Sequence, residues 1–223
     1  MEDYNLTRSR RKTLALIIRN GRLEIRAPLR MPIYEVNKFV TSKEKWIRDK
    51  LARSTEQQLK RGKFRLGYGA ALTYRGKQYP ITAKEGSYSG FDGERFFIPP
   101  GLDSEQIKSA CGQVYHMLAK RVIPERTRDL ARQMGVRPAA IRINSAKTRW
   151  GSCSAKRSVN FSWRLILADD GVIDYVIVHE LAHITEMNHS QRFWRIVSEI
   201  IPDYKERKTR LKGLQEKLNE ENW

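Results

Sequence analysis

The apolar positions of this chain change period along its length. Leu14 to Ile18 form a nearly unbroken apolar run, Asn20-Gly21 follows, and Leu23, Ile25 and Ala27 alternate with Glu24 and Arg26. Asn-Gly between two such runs is the strongest short hairpin signal, so two paired strands are expected, closed by Pro28 and Pro32. Over residues 33–59 the spacing becomes helical, with Val36, Phe39, Val40, Trp46, Ile47 and Leu51 recurring at helical intervals. Ser42 is the expected cap between two helical pieces, with Lys45 where a capping Glu would stand. Residues 60–100 are rich in Gly, Tyr and Phe and alternate in short runs, which predicts further strands and turns; Pro99-Pro100-Gly101 then reads as a boundary.

Beyond it, Ser104 opens a helix to about Gly135 with Ile107, Val114, Leu118, Val122 and Ile123 as its stripe; Pro124 is expected to kink or split it. A strand is expected at 140–144. Another is expected at 159–165, where Val159, Phe161, Trp163 and Leu165 face one way and Asn160, Ser162 and Arg164 the other. Asp169-Asp170-Gly171 caps a helix beginning near Val172. Ser190 caps a further helix carrying Phe193, Trp194, Val197, Ile200 and Ile201, and a charged amphipathic helix follows from Tyr204. The expected class is α+β, with a small β-rich module with a helical insert over residues 1–100 and a second domain over 101–223.

Charge changes this picture. The 223 residues carry 43 Lys and Arg against 25 Asp and Glu, a net charge of +18. Residues 1–66 hold 18 of the basic residues and only 7 of the acidic ones. Such an excess attracts polyanions, because Lys and Arg that neutralise phosphates release counterions. DNA or RNA is therefore a candidate partner of the basic module. Arg8, Arg10, Arg11 and Lys12 cluster before the first predicted strand, and Arg48, Lys50 and Arg53 follow on the helix. The plainer alternative is a solvated basic surface. No RNP-like, helix-turn-helix, zinc-finger or Walker pattern occurs. No apolar run is long enough to span a bilayer, and the run at 14–18 is too brief for a signal peptide, so no membrane association is expected. Cys111 and Cys153 make no disulfide framework; both are expected reduced, in a cytoplasmic protein.

The chemistry concentrates late in the chain. His179-Glu180-Leu181-Ala182-His183 is HExxH on a capped, apolar helix, so the two imidazoles share one face a turn apart. Two such imidazoles can take two sites of a tetrahedral metal, and Glu180 beside them can hold a water on it. Asn188 suits the left-handed residue that stops a helix, His189 follows, and Ser190 restarts one. Three of the four histidines thus fall within eleven residues. His189 is the preferred third ligand. Glu199, the alternative, shares a polar helical face with Arg192 and Arg195. Three imidazoles with an open position suit zinc (Zn2+), and also accommodate manganese or nickel.

Arg149-Trp-Gly-Ser-Cys-Ser154, Asn160, Arg164-Leu165, Tyr175 through His183, Asn188-His-Ser190 and Phe193-Trp194 resemble the YgjP-like family of metal-dependent hydrolases, a family related to the SprT-like and WLM zinc proteases. Arg10-Arg11-Lys12, Arg26-Ala-Pro28 and Lys43 with Trp46-Ile47 carry the resemblance to the other end of the chain. It implies a zincin-like C-terminal half with a mixed sheet, His179, His183 and His189 as zinc ligands, and Glu180 as the acid/base residue. Glu186 stands where the metzincin pattern has Gly, and no Met-turn can follow, so the chain departs from that class. The expected activity is that of a metallopeptidase acting on a peptide or protein, including proteins associated with nucleic acid. An extended substrate would pair with the 159–165 strand, with Asn160 or Arg164 reaching it. Two alternatives stay open: a nucleoside triphosphate pyrophosphatase, and a nucleic-acid-associated factor with a non-catalytic zinc site. The oligomeric state is not legible.

Overall fold

The computed structural model describes residues 4–19 and 21–223, so Asn20 of the expected turn lies outside them. Its contacts divide the chain into two compact units, residues 1–64 with 219–222, and residues 65–218 with Trp223. The division falls at 64, not at the Pro-Pro-Gly of residues 99–101. Those residues make a turn into a helix, and the strands before them share the second unit's core: Phe96 and Ile98 are fully buried, and the Phe96 ring meets Tyr115 at 5.2 Å.

In the first unit, strands β1 (Tyr4–Ser9), β2 (Ala15–Arg19) and β3 (Arg22–Pro28) form a mixed sheet in the order β1-β3-β2. β2 and β3 are the expected hairpin, with Leu16 opposite Ile25, and Gly21 takes the left-handed φ of +69° that its turn needs. β1, parallel to β3, was not foreseen. It places Arg8 inside a strand, where its guanidinium donates to the carbonyls of Pro28 (3.2 Å) and Met31 (2.6 Å). Arg10, Arg11 and Lys12 then lie between two strands, not ahead of the first. Helices α1 (Ile33–Ser42) and α2 (Glu44–Lys63) break at Lys43. Ser42 does not cap α2; its hydroxyl donates back to the Phe39 carbonyl at 2.7 Å. Leu23, Ile25, Ala27, Val36, Val40 and Ile47 form the core between sheet and helices.

The second unit contains a four-stranded sheet of β4 (Ala71–Tyr74), β5 (Lys77–Ala83), β6 (Gly90–Phe91) and β7 (Phe96–Ile98) in the order β4-β5-β7-β6. Helix α3 (Ser104–Gln133) starts at a reciprocal capping box between Asp103 and Gln106 and runs through Pro124 without splitting. Its buried face continues past the proline at Thr127 and Ala131, so packing holds the helix where propensity alone would break it. Strands β8 (Ala140–Asn144), β9 (Gly151–Cys153) and β10 (Ser158–Ser162) make a mixed sheet in the order β8-β10-β9. The expected strand at 159–165 ends at Ser162, whose hydroxyl accepts from the Arg164 amide as residues Trp163–Leu167 tighten into a 3-10 turn. All five of those residues are buried, so their apparent alternation had no solvent face behind it. Helices α4 (Asp170–Ala182), α5 (Gln191–Ile200) and α6 (Tyr204–Glu221) complete an α+β chain. Among the described residues no helix is long and apolar enough to cross a membrane.

Candidate metal centre

Helix α4 begins at Asp169, whose carboxylate accepts from the Val172 amide at 3.1 Å, and it is buried on nearly all sides. Its last turn carries His179 and Glu180, and His183 is the residue that caps it. The chain then turns through residues 184–189 and restarts at Ser190, whose hydroxyl accepts from the Phe193 amide. This stop and restart swings His189 back over α4: its Nε2 lies 3.0 Å from His179 Nε2. One ligand atom from each of His179, His183 and His189 lies within 4.8 Å of the others. Glu199, the alternative ligand, is exposed on α5 and stands outside this group.

A shared floor holds the three rings. Phe193 is fully buried, and its ring centre lies 4.9, 4.6 and 4.7 Å from those of His179, His183 and His189. Trp194 stacks on His189 at 5.7 Å, and Tyr204 stacks on Trp194 at 5.2 Å. Burial pushes His179 down to about 3, helped by the neighbouring His183, His189 and Lys208. Burial also lowers His183, against its backbone hydrogen bonds. Both imidazoles are therefore neutral near pH 7 and keep a lone pair to give. His183 Nδ1 meets the Glu186 carbonyl at 3.1 Å, an acceptor that takes the ring proton there and turns the other nitrogen toward the cluster.

Glu180 sits beside the cluster and is 7% exposed. Burial raises its carboxyl to about 7, opposed by the charge of Arg149. Gly151, the first residue of β9, leaves the room it needs: a Cβ there would stand 2.5 Å from Glu180 Cγ and 2.7 Å from its Oε1. Arg149 is exposed and makes no hydrogen bond or ion pair among the described residues. Burial, and then the Glu180 charge, raise the Cys153 thiol.

Residues 12–214 match the family described as YgjP-like, metallopeptidase domain. The chain belongs to the YgjP-like metallopeptidase family. No curated protein matches it. A similar solved structure is the metallopeptidase zymogen of Pyrococcus abyssi abylysin, with a TM-score of 0.38 and 23% identity over 40% of this chain and 91% of that one. YgjP-like membership implies a divalent metal ion and a peptide or protein substrate. The donor set fits such an ion: three imidazoles whose ligand atoms converge within 4.8 Å of one another, next to a buried carboxylate on the same helix.

The two residues expected to reach substrate do not meet this YgjP-like site. Asn160 pairs with Ser152, and Phe161 pairs with Gly151. Gly151 faces Glu180, so the pleat turns Asn160 to the opposite side of the sheet. There its amide approaches Ser152 Oγ at 3.5 Å. Arg164 is buried in the 3-10 turn; it donates to the Ser145 carbonyl at 2.9 Å and lies over the Trp163 ring at 4.5 Å. Both edges of β10 are occupied, by β8 and β9, so no substrate strand can add to it. Gly151, Phe193 and Arg149 are the site residues that periodicity missed. Their signal was proximity in sequence to motif residues: Arg149 and Gly151 within RWGSCS, and Phe193 one turn after the restart.

Proposed function

We propose that this chain is a zinc-dependent peptidase whose water is activated between His179, His183, His189 and Glu180. The observation that carries the reading is the convergence of three imidazole nitrogens within 4.8 Å beside a carboxylate buried to 7% exposure. A zinc ion bound there would supply Lewis acidity, lowering the pKa of a water and polarising a scissile carbonyl. The chain's own residues do the rest. The histidines, fixed on the Phe193 floor, set the direction of attack. Glu180 takes the proton of the attacking water on a carboxylate oxygen and returns it to the leaving amine nitrogen. Burial keeps competing water from that carboxylate. Arg149, exposed and acting on the Glu180 carboxyl by its charge, offers a cation to the carbonyl oxygen or carboxylate of a substrate crossing the site.

The substrate strand is assigned to β9. β9 is one of the two edge strands of its sheet, begins at Gly151 against Glu180, and has one side unpaired in the strand order. An extended peptide adding there would run past Glu180 with its backbone held by hydrogen bonds. The basic first third of the chain suits protein substrates that are themselves bound to nucleic acid.

The test is metal analysis of purified protein with a parallel assay on unfolded casein, a DNA-bound protein and a panel of nucleoside triphosphates. The expected result is one zinc per chain and casein cleavage that a chelator abolishes and zinc restores. His189→Ala is expected to lose most of the metal and Glu199→Ala to keep it. Hydrolysis of triphosphates with no cleavage of protein would transfer the site to the pyrophosphatase reading. Full zinc without hydrolysis of anything offered would transfer it to the non-catalytic one.

A further inference from the structure

The first unit leaves large aromatic rings in water. Phe39, on α1, is 36% exposed and Trp46, on α2, is 43% exposed. They are not scattered singly: together with Leu16 and Lys43 they line one open cleft of about 270 Å³ at the junction of the two helices. The apolar stripes of the same helices, Val36, Val40 and Ile47, are already buried in the unit's own core. The exposed rings are therefore surplus to folding. Keeping two such rings in water costs solvation free energy, and their exposure calls for a ligand.

The charge around the cleft says which ligand. On α2, Lys50 and Arg53 follow Trp46 by four and seven residues and so share its face. Lys43 lies in the cleft itself. The side chains of these three make no hydrogen bond or ion pair among the described residues. Among the described residues of this unit, Arg26 pairs with Glu24, and Lys60 with Glu56 and Glu220. Aromatic rings interleaved with unneutralised cations match the chemistry of a single strand of nucleic acid, whose bases stack on the rings while its phosphates meet the cations. A duplex hides its base faces in its own stack and would use the cations alone. A bilayer would need a continuous apolar face, and here Lys43, Lys50 and Arg53 stand exposed among the rings.

We propose that the Phe39–Trp46 cleft is a base-stacking site for single-stranded nucleic acid, with Lys43, Lys50 and Arg53 holding the backbone. This site differs from the one expected at Arg8, Arg10, Arg11 and Lys12, of which Arg8 is committed to backbone carbonyls. It stands independently of the peptidase reading, since none of its residues belongs to the histidine centre.

The test is fluorescence anisotropy of the full-length protein with labelled oligothymidylate and oligouridylate, with a duplex of the same length, and with phosphatidylserine vesicles as competitor. Zinc content is measured on every preparation. Single strands are expected to bind at low salt, more tightly than the duplex. Trp46→Ala combined with Phe39→Ala should weaken single-strand binding about tenfold or more, with the salt dependence little changed. Trp46→Phe should restore most of the loss. Lys43→Gln with Lys50→Gln and Arg53→Gln should flatten the salt slope by ~0.7 for each phosphate contact removed. Zinc content should hold in every variant, and the thermal midpoint should also hold in the cation variants, whose side chains are exposed. Single-strand affinity within twofold of wild type in the aromatic double variant would overturn the proposal. So would equal affinity for the duplex, or binding to vesicles with none to oligonucleotides.

Discussion

A single hydrogen at position 151 decides where the Glu180 carboxylate can sit. Gly151 has no positive φ, so alanine there meets no backbone strain; its methyl meets Glu180. Gly151→Ala should therefore displace the carboxylate while leaving the histidines alone. The expected outcome is wild-type metal content with turnover reduced ~10²-fold, within the range seen when a general base is misplaced. Metal analysis and casein cleavage on one sample check it, and unchanged turnover would mean that Glu180 need not occupy its observed position. Phe193 makes a different demand. Removing the buried ring beneath the three histidines should cost about 3–5 kcal/mol of stability, read as a fall in the denaturant midpoint, and should loosen metal binding with it. At this scale the sequence was informative where chemistry and spacing coincide: His179, His183 and His189 are brought together as their spacing suggested. It was uninformative where orientation depends on pairing. Alternation puts Asn160 opposite Phe161, as in the structure, but nothing marks which of the two faces looks toward Glu180 until β9 is laid beside them. Arg164 reads as a solvent-facing residue until five buried residues in a row close into a 3-10 turn.

The turn between β4 and β5 shows how elements of the second unit lock together. Arg75 and Gly76 both take left-handed backbone, with φ of +48° and +76°. Their amides donate to the Ile166 and Leu167 carbonyls at 2.9 and 3.3 Å. The Arg75 side chain makes a two-point pair with Asp170 at 2.7 and 2.6 Å, and Arg126 does the same with Asp174 at 2.8 and 2.7 Å. The Arg75 bonds hold the hairpin tip, and the Arg126 bonds hold α3, against α4, whose last turn carries His179 and Glu180. A Cβ on Gly76 would stand 2.8 Å from Asp169 Cβ, so Gly76→Ala combines a clash with a strained backbone; a loss of about 1–3 kcal/mol is expected, visible as a lowered thermal midpoint. The ion pair adds a pH dependence. The Arg75 hydrogen bonds, with the Arg126 charge, hold the Asp170 carboxyl below its ordinary 3.8 against the effect of burial. A depressed carboxyl contributes stability above its unfolded value and loses it as pH falls through the folded one. The Asp170 side chain is 45% exposed, so solvent screening limits the contribution to about 1 kcal/mol or less. The gap in stability between wild type and Asp170→Asn should be open at pH 7 and narrow as pH falls below 3.8 and through the lower folded value. A gap that does not narrow in acid would assign it to something other than this carboxylate. Elements with strong local signals, such as the β2–β3 hairpin, α3 and α4, were legible in the pattern. β1 was not, because a strand with few apolar residues is made by its parallel partner, and neither was the domain edge, because Pro-Pro-Gly punctuates a turn as readily as a linker.

The whole molecule is built of two compact units. The histidine centre lies within the second, and the cleft of Phe39 and Trp46 lies within the first. Heat-capacity scans should therefore show metal acting on one unit. A ligand that binds only the folded state adds about 2.7 kcal/mol at a hundred times its Kd. Chelation is expected to lower the transition of residues 65–218 and to leave that of the first unit in place; a uniform shift of all unfolding would show the two melting as one. The central claim is that the three histidines hold the metal and that Glu180, beside them, moves the proton. The most direct measurement is metal content and proteolysis of Glu180→Gln in one preparation, because the amide keeps the shape of the side chain and removes only its basicity. The account predicts one zinc per chain, as in wild type, with cleavage of unfolded protein reduced ~10²–10⁴-fold. Full zinc with cleavage within a few-fold of wild type would contradict it.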